Sequence, residues 1–418
     1  MRVLAATQWF CIKRRIALTS IYKKCKMVPY STVNITMNTN DLIEQGNNHR
    51  SERRPIQALG SYAQAFVQDP DSVAAWNNYG NVMRECGQPA RAIPFLQHAC
   101  AMAPEHVTSQ FNLAVAYLMT GNYQQGWPQY EWRWQYEHLA GTLPKYSQPR
   151  WTGQDLKGKT ILVQGEQGHG DNIQFVRFLY NLHVMGARLK LKVTDGLIPL
   201  LSAGSIIERV MRYDEEDTEF DYWVPIMSIP GILGITLDNL PRPMSYLNAD
   251  MGLQKQWLEV LGPKTRMRVG LAWSGRRDAW LNQHKGMPFE QVVELIKSNP
   301  QYEWINLQID ATEEESKTLT ELGVRQFPGA VRSFAETAAL IMAMDVVISV
   351  DTAIAHLSGA LGRPTWIMLN WFGQDWRWLT VREDSPWYST ARLFRQPAQD
   401  DWPSVIKKVS QYLSWFKV

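Results

Sequence analysis

Cysteine is scarce in this chain of 418 residues: four, Cys11, Cys25, Cys86 and Cys100, far apart and with no CxxC pair. That count excludes a disulfide framework and a thiolate metal site and points to a reducing, cytoplasmic compartment. Long apolar runs are also missing, and nothing approaches the ~20 residues that a membrane span needs. Excess charge of either sign is absent too. The net charge is +3, but residues 1–30 hold seven Lys or Arg and no acid, so the remainder is slightly acidic. Such a body is a poor binder of nucleic acid. The basic N-terminus has its charges after the short oily patch ATQWFCI, the reverse of a signal peptide's order. Residues 1–38 read as a disordered or mis-started arm, with Met27 or Met37 as the expected start.

What is present begins with a repeat. At a spacing of 34, Gly46 is followed by Gly80, Ala58 by Ala92, Tyr62 by Leu96, Ala65 by Ala99, Pro70 by Pro104 and Gly87 by Gly121. The period and phased small residues resemble the tetratricopeptide repeat, two antiparallel helices per unit. Residues 39–138 are assigned to it, about two and a half units. The third unit degrades at Gly126 and runs into GWPQYEWRWQYE, where Trp127, Trp132 and Trp134 serve packing or carbohydrate binding. The array is either a platform for a peptide or partner protein or a structural cap.

Residues 139–157 read as a linker. Beyond it the pattern alternates: a buried strand (Thr160–Val163), a Gly-rich loop, a helix, a Gly turn and another strand, which is the βαβ unit of a parallel sheet. A second such region starts at RVGLAWSG. The fold class is therefore α/β, two Rossmann-like lobes at 158–250 and 251–418, preceded by the all-α array. Ligands of such folds sit at the carboxyl ends of the strands. There, DVVISVDTAIAHLSGALGRPTWIML puts Asp351 at a strand end, with Thr352 and Ala353 opening a helix whose free amides suit an anion. Asp351 suits a sugar hydroxyl instead. His356 lies on the Thr352 face, as ligand group or as packed histidine. Ser274, Arg276 and Lys285 form a second donor cluster at the WSGR strand end, and Gln308 ends the WINLQ strand in the same cleft.

Four stretches, EQGHGDNIQF, VGLAWSG, SVDTAIAHLSGALGRPTW and DWRWL with SPWY, together resemble the tetratricopeptide-linked glycosyltransferases of bacteria. The catalytic part of these is similar to the heptosyltransferase family, and there is a looser likeness to O-GlcNAc transferases. The resemblance implies a GT-B fold, a terminal helix that crosses back over the first lobe, and sugar transfer from a nucleotide diphosphate without a bound metal or other cofactor. The catalytic part carries no DxD-type pair. On the family pattern, Asp171 after Gly170 is the general base, Glu166 its weaker rival, Gly170 and Gln174 lie on the acceptor side, and the donor cluster holds the diphosphate. His169 and the Lys285-Gly286-Met287-Pro288 stretch depart from that pattern. With a short first lobe, the acceptor pocket is expected to lean on the repeat. Arg377 has two candidate partners, Asp375 or substrate. A protein or glycan hydroxyl is the expected acceptor. A degenerate scaffold and a sugar-nucleotide epimerase are the competing readings.

Overall fold

The computed structural model describes residues 37–166, 168–204, 206–275 and 285–416. The chain forms two compact units that meet at Leu113 and Ala114. The first contains α1 (Thr39–Ser51), α2 (Pro55–Gln68), α3 (Val73–Glu85) and α4 (Pro89–Met102), and the division falls inside α5 (Val107–Met119). Local sequence sets the ends of these helices. Asn38 caps α1 in a capping box with Asp41, and Pro55 and Pro89, 34 residues apart, open α2 and α4. The 34-spaced glycines have a steric cause. A Cβ on Gly46 would lie 2.4 Å from the Tyr62 ring, and one on Gly80 would lie 2.8 Å from Leu96. Each pair of helices closes at that point, where only glycine fits.

The second unit begins with the rest of α5 and α6 (Tyr123–Tyr130), followed by the first lobe. In order come β1 (Thr160–Gln164), α7 (His169–Phe175), α8 (Leu179–Val184), β2 (Arg188–Lys192), α9 (Ile198–Leu201), β3 (Ile207–Met211), β4 (Tyr222–Pro225) and α10 (Ile229–Ile232). The helix expected after β1 is thus two, joined by a 3-10 turn at Val176–Phe178. The sheet is parallel, in order β3-β2-β1-β4, with Ile161 beside both Leu189 and Tyr222. Residues 139–157 do more than link. Arg150 bridges Trp223 in parallel, the Trp151 amide donates to Trp223 O at 2.8 Å, and Leu143 and Tyr146 pack against Leu162, Phe220 and Trp223.

The second lobe runs through α11 (Met251–Leu261), β5 (Arg268–Ala272), α12 (Phe289–Lys297), β6 (Glu303–Asn306), α13 (Glu313–Glu321), α14 (Phe334–Met342), β7 (Val346–Val350), α15 (Ala353–Ala360), β8 (Thr365–Leu369), β9 (Ala391–Arg395) and α16 (Trp402–Trp415). Its parallel sheet has the order β6-β5-β7-β8-β9. Strands β5, β7 and β8 are buried at every position, as their unbroken apolar runs require when helices cover both faces. The strand order reverses between β1 and β4 in one lobe and between β5 and β7 in the other. Those are the switch points at which α/β sheets open a ligand crevice. Two Rossmann-like lobes of this kind constitute a GT-B type of fold.

The terminal helix departs from expectation. Instead of crossing to the first lobe, α16 inserts Trp402, Val405, Ile406, Val409 and Leu413 into the core of its own lobe, beside Val292, Trp304 and Phe394. Ser410 also accepts from Asn299 Nδ2 at 2.8 Å. Its apolar stripe has the three- and four-residue spacing of a helix face, and the near face of the β5–β9 sheet is there to receive it.

Candidate active site

Strand β7 delivers Asp351 and Thr352 to the crevice. Thr352 has extended backbone and caps α15, its Oγ1 accepting from the Ile354 amide at 3.2 Å and sharing a 3.0 Å contact with Ser349 Oγ. Ala353 is the first residue of α15. One turn on, His356 is buried, with Nδ1 2.8 Å from the Tyr388 hydroxyl and its ring stacked on Trp378. Its Nε2 lies 3.9 Å from Asp351. Burial, opposed by Asp351, takes its pKa down to about 3, so the ring is neutral at pH 7.

At the end of β5 the Trp273 and Ser274 amides donate to Gln308 Oε1 at 3.1 and 3.0 Å. Gln308 therefore pins the strand end, with Asp310 accepting from its amide nitrogen. Ser274 Oγ donates to Gly275 O at 3.0 Å. Arg276 lies outside the described residues. Lys285 is described, and its ammonium sits 2.8 Å from Asp351 and 3.8 Å from Asp375. Burial works against its charge, but these two carboxylates outweigh burial and raise its pKa.

From β1 the chain passes through Glu166 to α7. Glu166 is buried in a two-bonded pair with Arg133, at 2.8 and 3.0 Å, and accepts the Met227 amide at 2.9 Å. These contacts fix the start of the Gly-rich loop to Arg133 and Met227. Asn172 ties down the loop, accepting from the Glu166 amide and donating to the carbonyls of Glu166 and Gly168. Gly170 is where α7 touches α15: a Cβ there would lie 2.8 Å from His356 Cδ2. Asp171 accepts the Gly168 amide at 2.8 Å through Oδ2 and pairs with Arg377 through Oδ1. Burial raises its pKa, against the pull of Arg377. Gln174 Oε1 accepts from the same guanidinium.

Arg377 and Asp375, which the sequence paired without assigning them to the donor or acceptor set, complete the cluster. Of its candidate partners Arg377 meets Asp375, at 3.0 Å through Nη1, and it also bonds Asp171 through Nη2, while its guanidinium lies over Trp376. Burial opposes its charge, yet Asp375 and Asp171 hold its pKa above the ordinary value. Asp375, also desolvated, is held well below the usual carboxylate range by Arg377 and Lys285. The run Asp171, Arg377, Asp375, Lys285, Asp351 is thus one line of alternating charge joining the ends of β1 and β7, three carboxylates to two cations. Among the described residues no three His, Cys, Asp or Glu side chains are grouped to hold a metal ion. No described helix is long and apolar enough to cross a membrane.

Protein FlbA of Caulobacter vibrioides is 26% identical over 434 residues, covering 88% of this chain and 71% of its own. Among solved structures, E. coli ADP-heptose LPS heptosyltransferase II is similar with a TM-score of 0.45 at 14% identity, over 61% of this chain and 98% of that one. A glycosyl transferase family 9 protein from Veillonella parvula has a TM-score of 0.46 at 11% identity, over 64% and 92%. The family profile described as glycosyltransferase family 9 (heptosyltransferase) matches residues 329–369, which hold α14, β7, α15 and β8 and with them Asp351, Thr352 and His356. In that segment, which builds one wall of the crevice, the chain is homologous to the heptosyltransferases of glycosyltransferase family 9.

Proposed function

We propose that the chain is a metal-independent, inverting glycosyltransferase that moves a sugar from a nucleotide diphosphate to a protein or glycan hydroxyl. The observation that carries this reading is the line of charge from Asp171 to Asp351, set across the two switch points beside the capped start of α15. In this reading Asp171 takes the proton of the acceptor hydroxyl as that oxygen attacks the anomeric carbon. Burial favours its neutral form and so raises its basicity, provided Arg377 yields one of its bonds. On the opposite face the sugar–phosphate bond breaks, and Lys285 with the α15 amides takes up the charge of the departing diphosphate. Lys285 is held charged by Asp351 and Asp375, and a diphosphate oxygen replaces the Asp351 carboxylate when the donor enters. Asp351 is then released to a donor hydroxyl.

A second reading, a non-catalytic scaffold that presents the repeat to a partner, draws on one feature: each cation of the cluster already has a carboxylate partner. Calorimetric titration of the full chain with UDP, GDP, ADP and CMP separates the two. The transferase reading expects one nucleotide to bind at about micromolar Kd, weakened about tenfold or more in Lys285→Ala, as loss of a charge-assisted contact predicts. Asp171→Asn is expected to keep that affinity and lose transfer by about 100-fold or more. Failure of all four nucleotides to bind supports the scaffold.

A further inference from the structure

Strand β9 ends in an arginine whose charge has no counterpart. Arg395 Nε donates to Arg382 O at 3.2 Å, Nη1 to Gln374 Oε1 and Nη2 to Trp378 O, the last two at 2.5 Å. All three acceptors are neutral, and among the described residues no carboxylate pairs with this guanidinium. Burial takes its pKa down to about 10. Burying a cation without an acid is unfavourable, so packing alone does not account for arginine here. Its acceptors do. They bracket the turn that carries the charged line: Gln374 precedes Asp375, Trp378 follows Arg377, and Arg382 lies just beyond.

We propose that Arg395 is a positioning residue: its three bonds hold the turn at 375–379 in the conformation that presents Asp375 to Lys285 and Arg377 to Asp171. Its bearing on the reaction rests on the transferase reading above. A clamp is needed because the turn is strained. Leu379 has φ 54° and ψ −161°, the mirror image of extended backbone, a region that glycine alone enters freely. Within the turn, two long backbone bonds oppose relaxation, Trp378 N to Asp375 O at 3.3 Å and Leu379 N to Trp376 O at 3.2 Å. Arg395 bonds the carbonyl directly before the strained residue, so that peptide plane cannot rotate without breaking the bond. The base of the clamp is itself fixed. Strand β9 pairs with β8, Leu369 beside Arg395, and on its other edge Leu393 N donates to Glu383 O at 2.7 Å. Gln374 is tied in turn to Asn370 O at 2.6 Å. A planar fork reaches three acceptors at once, which a lysine ammonium on the same stem does not. Relaxation would carry Arg377 off Asp171 and Trp378 off the His356 ring of α15, disturbing both walls of the crevice.

The test combines hydrogen exchange of the full chain with calorimetric titration of UDP, GDP, ADP and CMP. The variants are Arg395→Met, Arg395→Lys, and Arg395→Met joined to Leu379→Gly. In Arg395→Met the Trp378 and Leu379 amides should exchange about tenfold faster relative to those of Val346–Val350, and nucleotide should bind about tenfold more weakly. Arg395→Lys keeps the charge without the fork and should show the same two losses. Glycine holds the mirror-image backbone unaided. The double variant should therefore return the nucleotide Kd to within about threefold of the native value, although loss of the buried leucine lowers Tm further. An ordinary core role gives the opposite pattern, in which all strands exchange faster together and the second substitution weakens binding again. Either of those results overturns the proposal, as does native-like exchange of the turn in Arg395→Met. A native chain that binds no nucleotide defeats the transferase reading by itself. Faster exchange confined to the turn would then retain the clamp and overturn its part in the reaction.

Discussion

His356 shows how a buried ring reports on its surroundings. It is 5% exposed, between Trp378 and the Tyr388 hydroxyl, with Asp351, Asp375, Lys285 and Arg377 as the charges around it. A histidine whose folded value is lowered binds its proton more weakly folded than unfolded. Its contribution to stability is therefore full above the unfolded value of 6.5 and is lost as pH falls from there toward about 3. The slope reaches at most about 1.4 kcal/mol per pH unit. Urea unfolding of the native chain and of His356→Gln at pH 7.5, 6.5, 5.5 and 4.5 checks this. The two curves should run parallel above pH 6.5, and the gap between them should shrink below it as the native chain loses its advantage. A gap constant over that whole span would mean that the folded chain binds the ring's proton as readily as the unfolded chain does.

At the scale of elements, the crossing of α7 and α15 brings the two lobes' site residues together. It depends on Gly170, where a Cβ would meet His356 at 2.8 Å and the Ala353 Cα at 3.5 Å. The Ala353 contact is of ordinary van der Waals length, but the ring is fully packed and cannot retreat freely, so Gly170→Ala should cost about 1–3 kcal/mol, as overpacking does elsewhere. Thermal unfolding measures that loss, and nucleotide affinity should fall with it, because α15 must shift to relieve the contact. Gly60 makes the control, since a Cβ there meets nothing within 4 Å. Much of this element level was readable in the sequence. The apolar runs 346–350 and 365–369 are strands, Thr352 is a helix cap, and the Gly-rich loop lies where a switch point needs it. Those signals are local, carried by hydrogen bonds and side chains within a few residues. The partners of Asp171 were not readable, because Arg377 lies 206 positions away and nothing local distinguishes an arginine that will pair with a distant acid. At Gln308 a strand-end amide reads equally as a ligand group or as a clamp, and the bonds the fold shows are those of the clamp on the end of β5. The terminal helix misled because its apolar face specifies burial without naming the surface that provides it.

At the scale of the whole second unit, the lobes are joined by a buried arginine as well as by the charged line. Arg177, just after α7, donates to the Trp387 carbonyl at 2.6 Å, to the Tyr246 hydroxyl at 3.0 Å and to the Gln174 carbonyl at 2.9 Å. Its guanidinium lies 4.5, 4.8 and 5.3 Å from the rings of Tyr246, Tyr388 and Trp387. One side chain thus bonds the first lobe, the connecting segment at 241–246 and the 385–388 stretch of the second lobe. Bonds from a charged donor to buried acceptors are worth about 1.5–3 kcal/mol each, and stranding the acceptors adds to the loss. Arg177→Met keeps the volume and removes the donors, so it should destabilise the unit by about 3 kcal/mol or more. Calorimetry distinguishes a joint from an ordinary core residue. Removal of a joint should split unfolding of the lobes into two transitions, of which only the later-lobe transition rises when nucleotide is added at about 100 times its Kd, by about 2.7 kcal/mol. Loss from an ordinary core position would lower a single transition without dividing it. The same split would show whether the second lobe folds by itself, as its own continuous core from Val269 to Leu413 implies.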